Sequence, residues 1–297
     1  MNRRLLGFPG LPDVLWTTGR VVCAEFRDWD QPPPTSWVEL AESIAGNLAM
    51  PQSHGNAFAG NFATGRLKGV KSSGLWRRIR NRASISLSTP AECYSMNVDS
   101  GYDYIVGENE SDGYIAFDVY KGNGFDSSRF VVVVSEEIAE TPEILIEKLS
   151  PVVREKLNAK YGAAYLFPKA ASGNYYGMDA SFDSKEIEKL CGYGSTEHHL
   201  WRVGRARSRS SEFYHYCLGY VREVFDINFL SGSHLIAPMK GGTVFDYANS
   251  IGSLKRSEIL PELMEWRLNS DELVKARLDW EVSGLVLSAE QEPLQLR

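Results

Sequence analysis

Glu212 and His215 are the two residues in this chain whose types point most directly to proton chemistry, because a carboxylate beside an imidazole can work as a general acid–base pair. They open a segment in which Phe213, Cys217, Tyr220 and Val224 recur at helical spacing. That spacing predicts a helix that buries these four side chains and presents Glu212, His215, Arg222, Glu223 and Asp226 on its opposite face. Gly219 lies among the polar residues and would admit a ligand or a second backbone at close range. A solvated stripe laced with ion pairs explains the same residues without catalysis, and the pattern favours it. No catalytic role is therefore assigned, and Glu212 and His215 stand as the alternative.

Metal chemistry has even less support. Glu197-His198-His199 offers ligand types, but adjacent residues seldom hold one ion and no pair of histidines is spaced i, i+4. His54 and His234 have no sequence partner and are expected in turns or at the surface. Cys23, Cys93, Cys191 and Cys217 form no C-x-x-C pair, which suggests reduced, largely buried thiols in a cytoplasmic protein. Neither a metal nor a cofactor is expected. The glycine pairs at Gly122 and Gly124 and at Gly192 and Gly194 lack the lysine or the spacing of a phosphate loop, so both read as turns. A serine hydrolase would have to do without the G-x-S-x-G elbow.

The sharpest charge feature is the basic run Arg66, Lys68, Lys71, Arg77, Arg78, Arg80 and Arg82, with Trp76 embedded in it. Arginine forks grip phosphate oxygens and tryptophan stacks on bases, so Trp76, Arg77, Arg78, Arg80 and Arg82 are the candidate binding residues for RNA, single-stranded DNA or an acidic protein. Arg202, Arg205, Arg207 and Arg209 form a second cluster. Against both stands the acidic stretch from Asp99 to Asp112 and a net charge of −6 for the 297 residues, which oppose long-range attraction to nucleic acid.

These groups must be positioned by a mixed set of elements. Residues 20–26 read as a strand, and Ser36 with Glu39 as a capping box opening a helix to about Met50. Residues 52–65 read as an irregular glycine-rich loop, and 84–88 as a short strand. Residues 113–120 and 129–135 are the clearest strands, joined across Gly122 and Gly124. Thr141-Pro142 starts a helix along Leu145, Leu149, Val152, Val153 and Leu157, which Pro151 would kink or restart and Gly162 would close before a strand at 163–167. A short helix is expected over 183–192. The end of the chain reads as a strand at 262–266, a helix capped by Ser270, and a strand at 284–288. The expectation is an α+β fold with mixed or mainly antiparallel sheets, divided as 1–88 and 89–297. Hydrophobic residues at 43% and charged residues at 24% suit a globular protein, and no run approaches the roughly 20 apolar residues of a membrane span. The glycines and prolines at positions 7–12 interrupt any signal-peptide core.

The stretch from Tyr220 through Asn228-Phe-Leu-Ser-Gly-Ser-His-Leu235 and Gly241-Gly-Thr243 to Leu285-Val-Leu287 resembles bacterial accessory proteins of the toxin-immunity kind. That resemblance covers about the last quarter of the chain. It implies a cytosolic protein without a cofactor that acts by tight binding, and it transfers no catalytic residue. The leading expectation is thus an immunity-type protein that neutralises a toxin, its acidic charge matching a basic partner. The alternative is a nucleic-acid-binding or nucleic-acid-processing protein built on Arg66 to Arg82. A hydrolase without a recognisable motif is a third reading.

Overall fold

The computed structural model describes residues 19–28, 34–49, 54–60, 77, 93–100, 113–121, 126–169, 218–221, 223–239 and 241–286. The expected strand at 84–88 and helix at 183–192 lie outside them.

Period-2 alternation in one strand explains the layering. In β1 (Arg20–Asp28), Val22, Ala24 and Phe26 join one hydrophobic cluster while Val21 and Cys23 join another, so both faces are covered. β1 lies between β5 (Asp126–Ser135) and β6 (Tyr161–Pro168), antiparallel to each, with Cys23 opposite Val133 and Tyr165. β4 (Gly113–Lys121) pairs with β5 as the expected hairpin. β2 (His54–Gly60) and β3 (Cys93–Ser100) continue the sheet beyond β4. Residues 54–60 are therefore a strand, not the loop their composition suggests, and His54 begins it. Pairing to β3 satisfies a backbone whose small side chains give little propensity of their own.

On the other side of β6 come β7 (Ile227–Leu230), β11 (Met264–Arg267) and β10 (Ser253–Arg256). The nine strands run in the order β10-β11-β7-β6-β1-β5-β4-β3-β2, and every pairing is antiparallel. The fold is α+β. β1 and β2 come from before residue 88 and hydrogen-bond to strands from after it.

One face carries α1 (Pro34–Asn47) and α2 (Pro142–Lys156), which bury Val38, Ala41, Ile44, Leu145, Leu149 and Val153. α1 starts at Pro34, so Ser36 lies inside the helix rather than at its cap. Thr141 caps α2 as expected, accepting from the Ile144 N–H, and Pro142 occupies the first turn, where no N–H is missed. α2 runs unbroken through Pro151, which is exposed. It ends at Lys156, before Gly162, which instead sits within β6. A Cβ at Gly162 would meet the Phe26 ring at 2.8 Å and the Phe229 ring at 3.2 Å, so this glycine makes room for two aromatic rings.

The other face carries the C-terminal module: α3 (Gly232–Leu235), the ribbon of β8 (Pro238–Met239) and β9 (Gly242–Thr243), α4 (Val244–Ser250) and α5 (Ser270–Ser283). Trp266 and Trp280 stack at 5.9 Å beneath it, and the Trp266 indole donates to the Ile251 carbonyl at 2.7 Å. The cap of α5 is Asn269 rather than Ser270, because its Oδ1 accepts from both Asp271 and Glu272 while Glu272 accepts from the Asn269 N–H. Gly284 ends the helix in the left-handed region, at φ 73°. Of the expected final strand, Val286 forms a single bridge to Val221.

Candidate functional site

Of the residues singled out for binding, Arg77 is exposed. Trp76, Arg78, Arg80 and Arg82 lie outside the described residues, as do Glu212, His215 and Glu197-His198-His199. The helix predicted across 213–225 is overturned where it can be read. Leu218 and Gly219 form a turn, Val221 bridges to Val286, and residues 223–225 run without helix into β7. Val221, Val224 and Phe225 are all buried, so the chain is gripped from more than one side, and a single apolar face was the wrong geometry. The close approach expected at Gly219 is present: its φ is +93°, and a Cβ there would stand 2.6 Å from the Ser233 carbonyl oxygen.

The supposed polar face is also dismantled. Glu223 lies 3.5 Å from the Arg277 guanidinium, whose Nε donates to the Val224 carbonyl at 2.9 Å. Asp226 is half-buried, and its desolvation pushes the carboxyl up to about 6, with Arg277 opposing the rise and Glu143 adding to it.

The motif from Asn228 to Leu235 proves to be a set of structural locks. Asn228 clasps Phe225 twice, accepting from its N–H at 3.0 Å and donating to its carbonyl at 2.7 Å. Ser231 precedes α3, and its N–H and hydroxyl both approach His234 Nδ1, the hydroxyl at 2.7 Å. His234 is fully buried in α3 and stacks on Tyr161 at 5.2 Å, which corrects its expected place in a turn or at the surface. Burial drives its pKa down to about 3, against the opposing Tyr220 carbonyl. A serine and an imidazole in contact resemble half of a nucleophilic site, but here the pair caps α3 and the imidazole is shut off from solvent. Thr243 likewise forms a capping box with Asp246, whose carboxyl is lowered by hydrogen bonds from the Thr243 side chain and backbone.

A second constellation went unnoticed in the sequence. Glu25 and Arg27 are buried on the β1 face that also carries Cys23, with Glu25 Oε1 3.9 Å from the Arg27 guanidinium and Tyr165 donating to Glu25 Oε2 at 3.3 Å. Arg129 is buried on β5 directly opposite Arg27, and Tyr161 lies opposite Arg27 on β6. The signal was available: two charges spaced i, i+2 within a strand of otherwise apolar alternation must share a face.

No protein-family model matches the chain, and no curated protein is similar to it. Among solved structures, it is similar to one described as "Pseudomonas aeruginosa T6SS protein PA0821", with a TM-score of 0.47 and 12% identity over 92% of this chain and 79% of that one. A likeness at that level carries no argument about function.

The arrangement offers surface more readily than chemistry. Among the described residues, no group of three or more His, Cys, Asp and Glu side chains is placed to hold a metal ion, and no helix is long and apolar enough to cross a membrane. The large hydrophobic side chains that remain exposed there are Leu218, in the turn before β7, and Ile236, Phe245, Leu278 and Val282, which belong to the C-terminal module. The helix that bears Leu278 and Val282 is acidic: α5 carries Asp271, Glu272, Asp279 and Glu281, and of its two cations Arg277 is buried against Glu223.

Proposed function

We infer that the chain binds a protein partner through its C-terminal module, as an immunity-type protein that occludes a toxin. The observation that carries this reading is the gathering of exposed aliphatic and aromatic side chains on one module, beside carboxylates. Fully burying one such side chain is worth about 1.5–3 kcal/mol, so a few of them can anchor a complex. The acidic surround suits a basic partner by speeding encounter and rejecting like charge. Cytoplasmic placement and the absence of a cofactor belong to the same proposal.

The test is neutralisation. Genes adjacent to that of this chain are expressed singly to find one that arrests growth, and the chain is then co-expressed with it. Restored growth, with a stable complex recovered on co-purification, is the expected result. A growth-arresting neighbour that the chain neither binds nor neutralises would remove the immunity reading.

The alternative keeps the basic run Arg66 to Arg82 as a nucleic-acid-binding surface, and the exposure of Arg77 is the observation in its favour.

A further inference from the structure

The geometry of α5 points to a specific docking strip and a specific kind of partner, an inference that rests on the partner-binding reading above. Leu273, Ala276, Arg277 and Trp280 face the core, so a surface helix of this kind should be polar on the far side. Val274, Leu278 and Val282 recur there at i, i+4 and i+8 instead, with Leu278 60% and Val282 86% exposed. Asp271 heads the strip, and Glu281 and Asp279 stand on either flank, with Lys275 the one exposed cation of the helix. Two features make the strip rigid enough to be a template. The Asn269 capping box and Gly284 fix its ends, and Tyr247 of α4 donates to Asp279 at 2.7 Å. Burial, with that bond, raises the Tyr247 hydroxyl above its usual pKa, so it keeps its proton.

An aliphatic ridge bordered by carboxylates is the complement of a cationic amphipathic helix: leucine-like side chains to interleave with Val274, Leu278 and Val282, and lysine or arginine at the margins to meet Asp271 and Glu281. The occupant is therefore a basic, amphipathic helical segment of the partner protein. A second copy of this chain would bring the same carboxylates against each other and is disfavoured.

The probe is a synthetic amphipathic helix of leucine and lysine, with a leucine–glutamate peptide of the same pattern as its control, each titrated against the full chain by fluorescence anisotropy. The lysine peptide is expected to bind and the glutamate peptide not to. Leu278→Ser with Val282→Ser should weaken binding at least tenfold while the melting temperature holds, because both side chains are already in water. Asp271→Asn with Glu281→Gln should weaken binding and flatten its dependence on salt. Equal binding of both peptides, or binding unaffected by the Leu278/Val282 pair, would overturn the proposal, as would light scattering that shows a dimer which that pair dissociates. If these fail while the wild-type chain still neutralises its growth-arresting neighbour, only the α5 strip falls. If neutralisation itself fails, the reading beneath it falls.

Discussion

Half-buried Asp226 and fully buried His234 are both desolvated, which penalises the charged form of each, so their effects on stability run in opposite directions with pH. The Asp226 carboxyl is pushed up to about 6 in the fold from its ordinary value of 3.8. Below 3.8 it is protonated in both states. As pH rises from there to 6 the unfolded chain gives up its proton first, and stability is lost. At about 1.4 kcal/mol per pH unit, the loss at pH 7 is at most about 3 kcal/mol, reduced by the solvent that still reaches the carboxyl. Asp226→Asn should therefore raise stability at pH 7 by up to that amount, with the advantage shrinking to nothing near pH 3.8. Urea denaturation across that pH range checks it, and an Asn variant weaker at pH 7 would show that the carboxylate's pairing with Arg277 outweighs its burial. His234 has the reverse sign: its pKa falls from 6.5 to about 3, so its contribution is complete above 6.5 and drains away as pH drops. Between pH 4 and 6 the two nearly offset in the native chain, and in the Asp226→Asn variant the histidine's acid loss should stand alone.

The segment around α3 is held by how closely its backbone pieces approach, and two glycines distinguish packing from mere sequence preference. Gly219 has positive φ, and any Cβ would collide with the Ser233 carbonyl. Gly232 opens α3 with nothing within 4 Å of a Cβ. Gly219→Ala should cost about 1–3 kcal/mol, whereas Gly232→Ala should be neutral or stabilise by about 0.4–1 kcal/mol. Equal effects in chemical denaturation would mean that the 218–219 turn does not pack on α3. Elements closed by local bonds were legible before the fold was known: Thr141 and Pro142 at α2, the acidic first turn of α5, and the β4–β5 hairpin. The stretch 218–226 was not, because Tyr220 and Val224 at helical spacing fit equally well a chain crossing between two packing surfaces.

Across the whole molecule the charges decide between the two leading readings. If Arg77, Arg78, Arg80 and Arg82 bind nucleic acid, affinity must fall steeply with salt, and changing all four to Ala should flatten that slope. The net charge of −6 opposes such binding, so weak affinity for short RNA and single-stranded DNA is expected at physiological ionic strength. Submicromolar binding that the quadruple variant loses, with its fold intact, would reverse the ranking. The amino-acid sequence on its own determined the α+β class, the acidic balance and the elements whose signals are local, since caps, turns and alternation depend on residues a few positions apart. Only the tertiary structure decided that residues 54–60 are a strand, that Glu25, Arg27 and Arg129 share one buried face, and that His234 lies in the core. Each of these depends on a neighbour distant in the chain: β3 for residues 54–60, β5 for Arg27, and β6, through Tyr161, for His234. Local spacing contains no record of that neighbour, so burial and pairing emerge only when the sheet assembles.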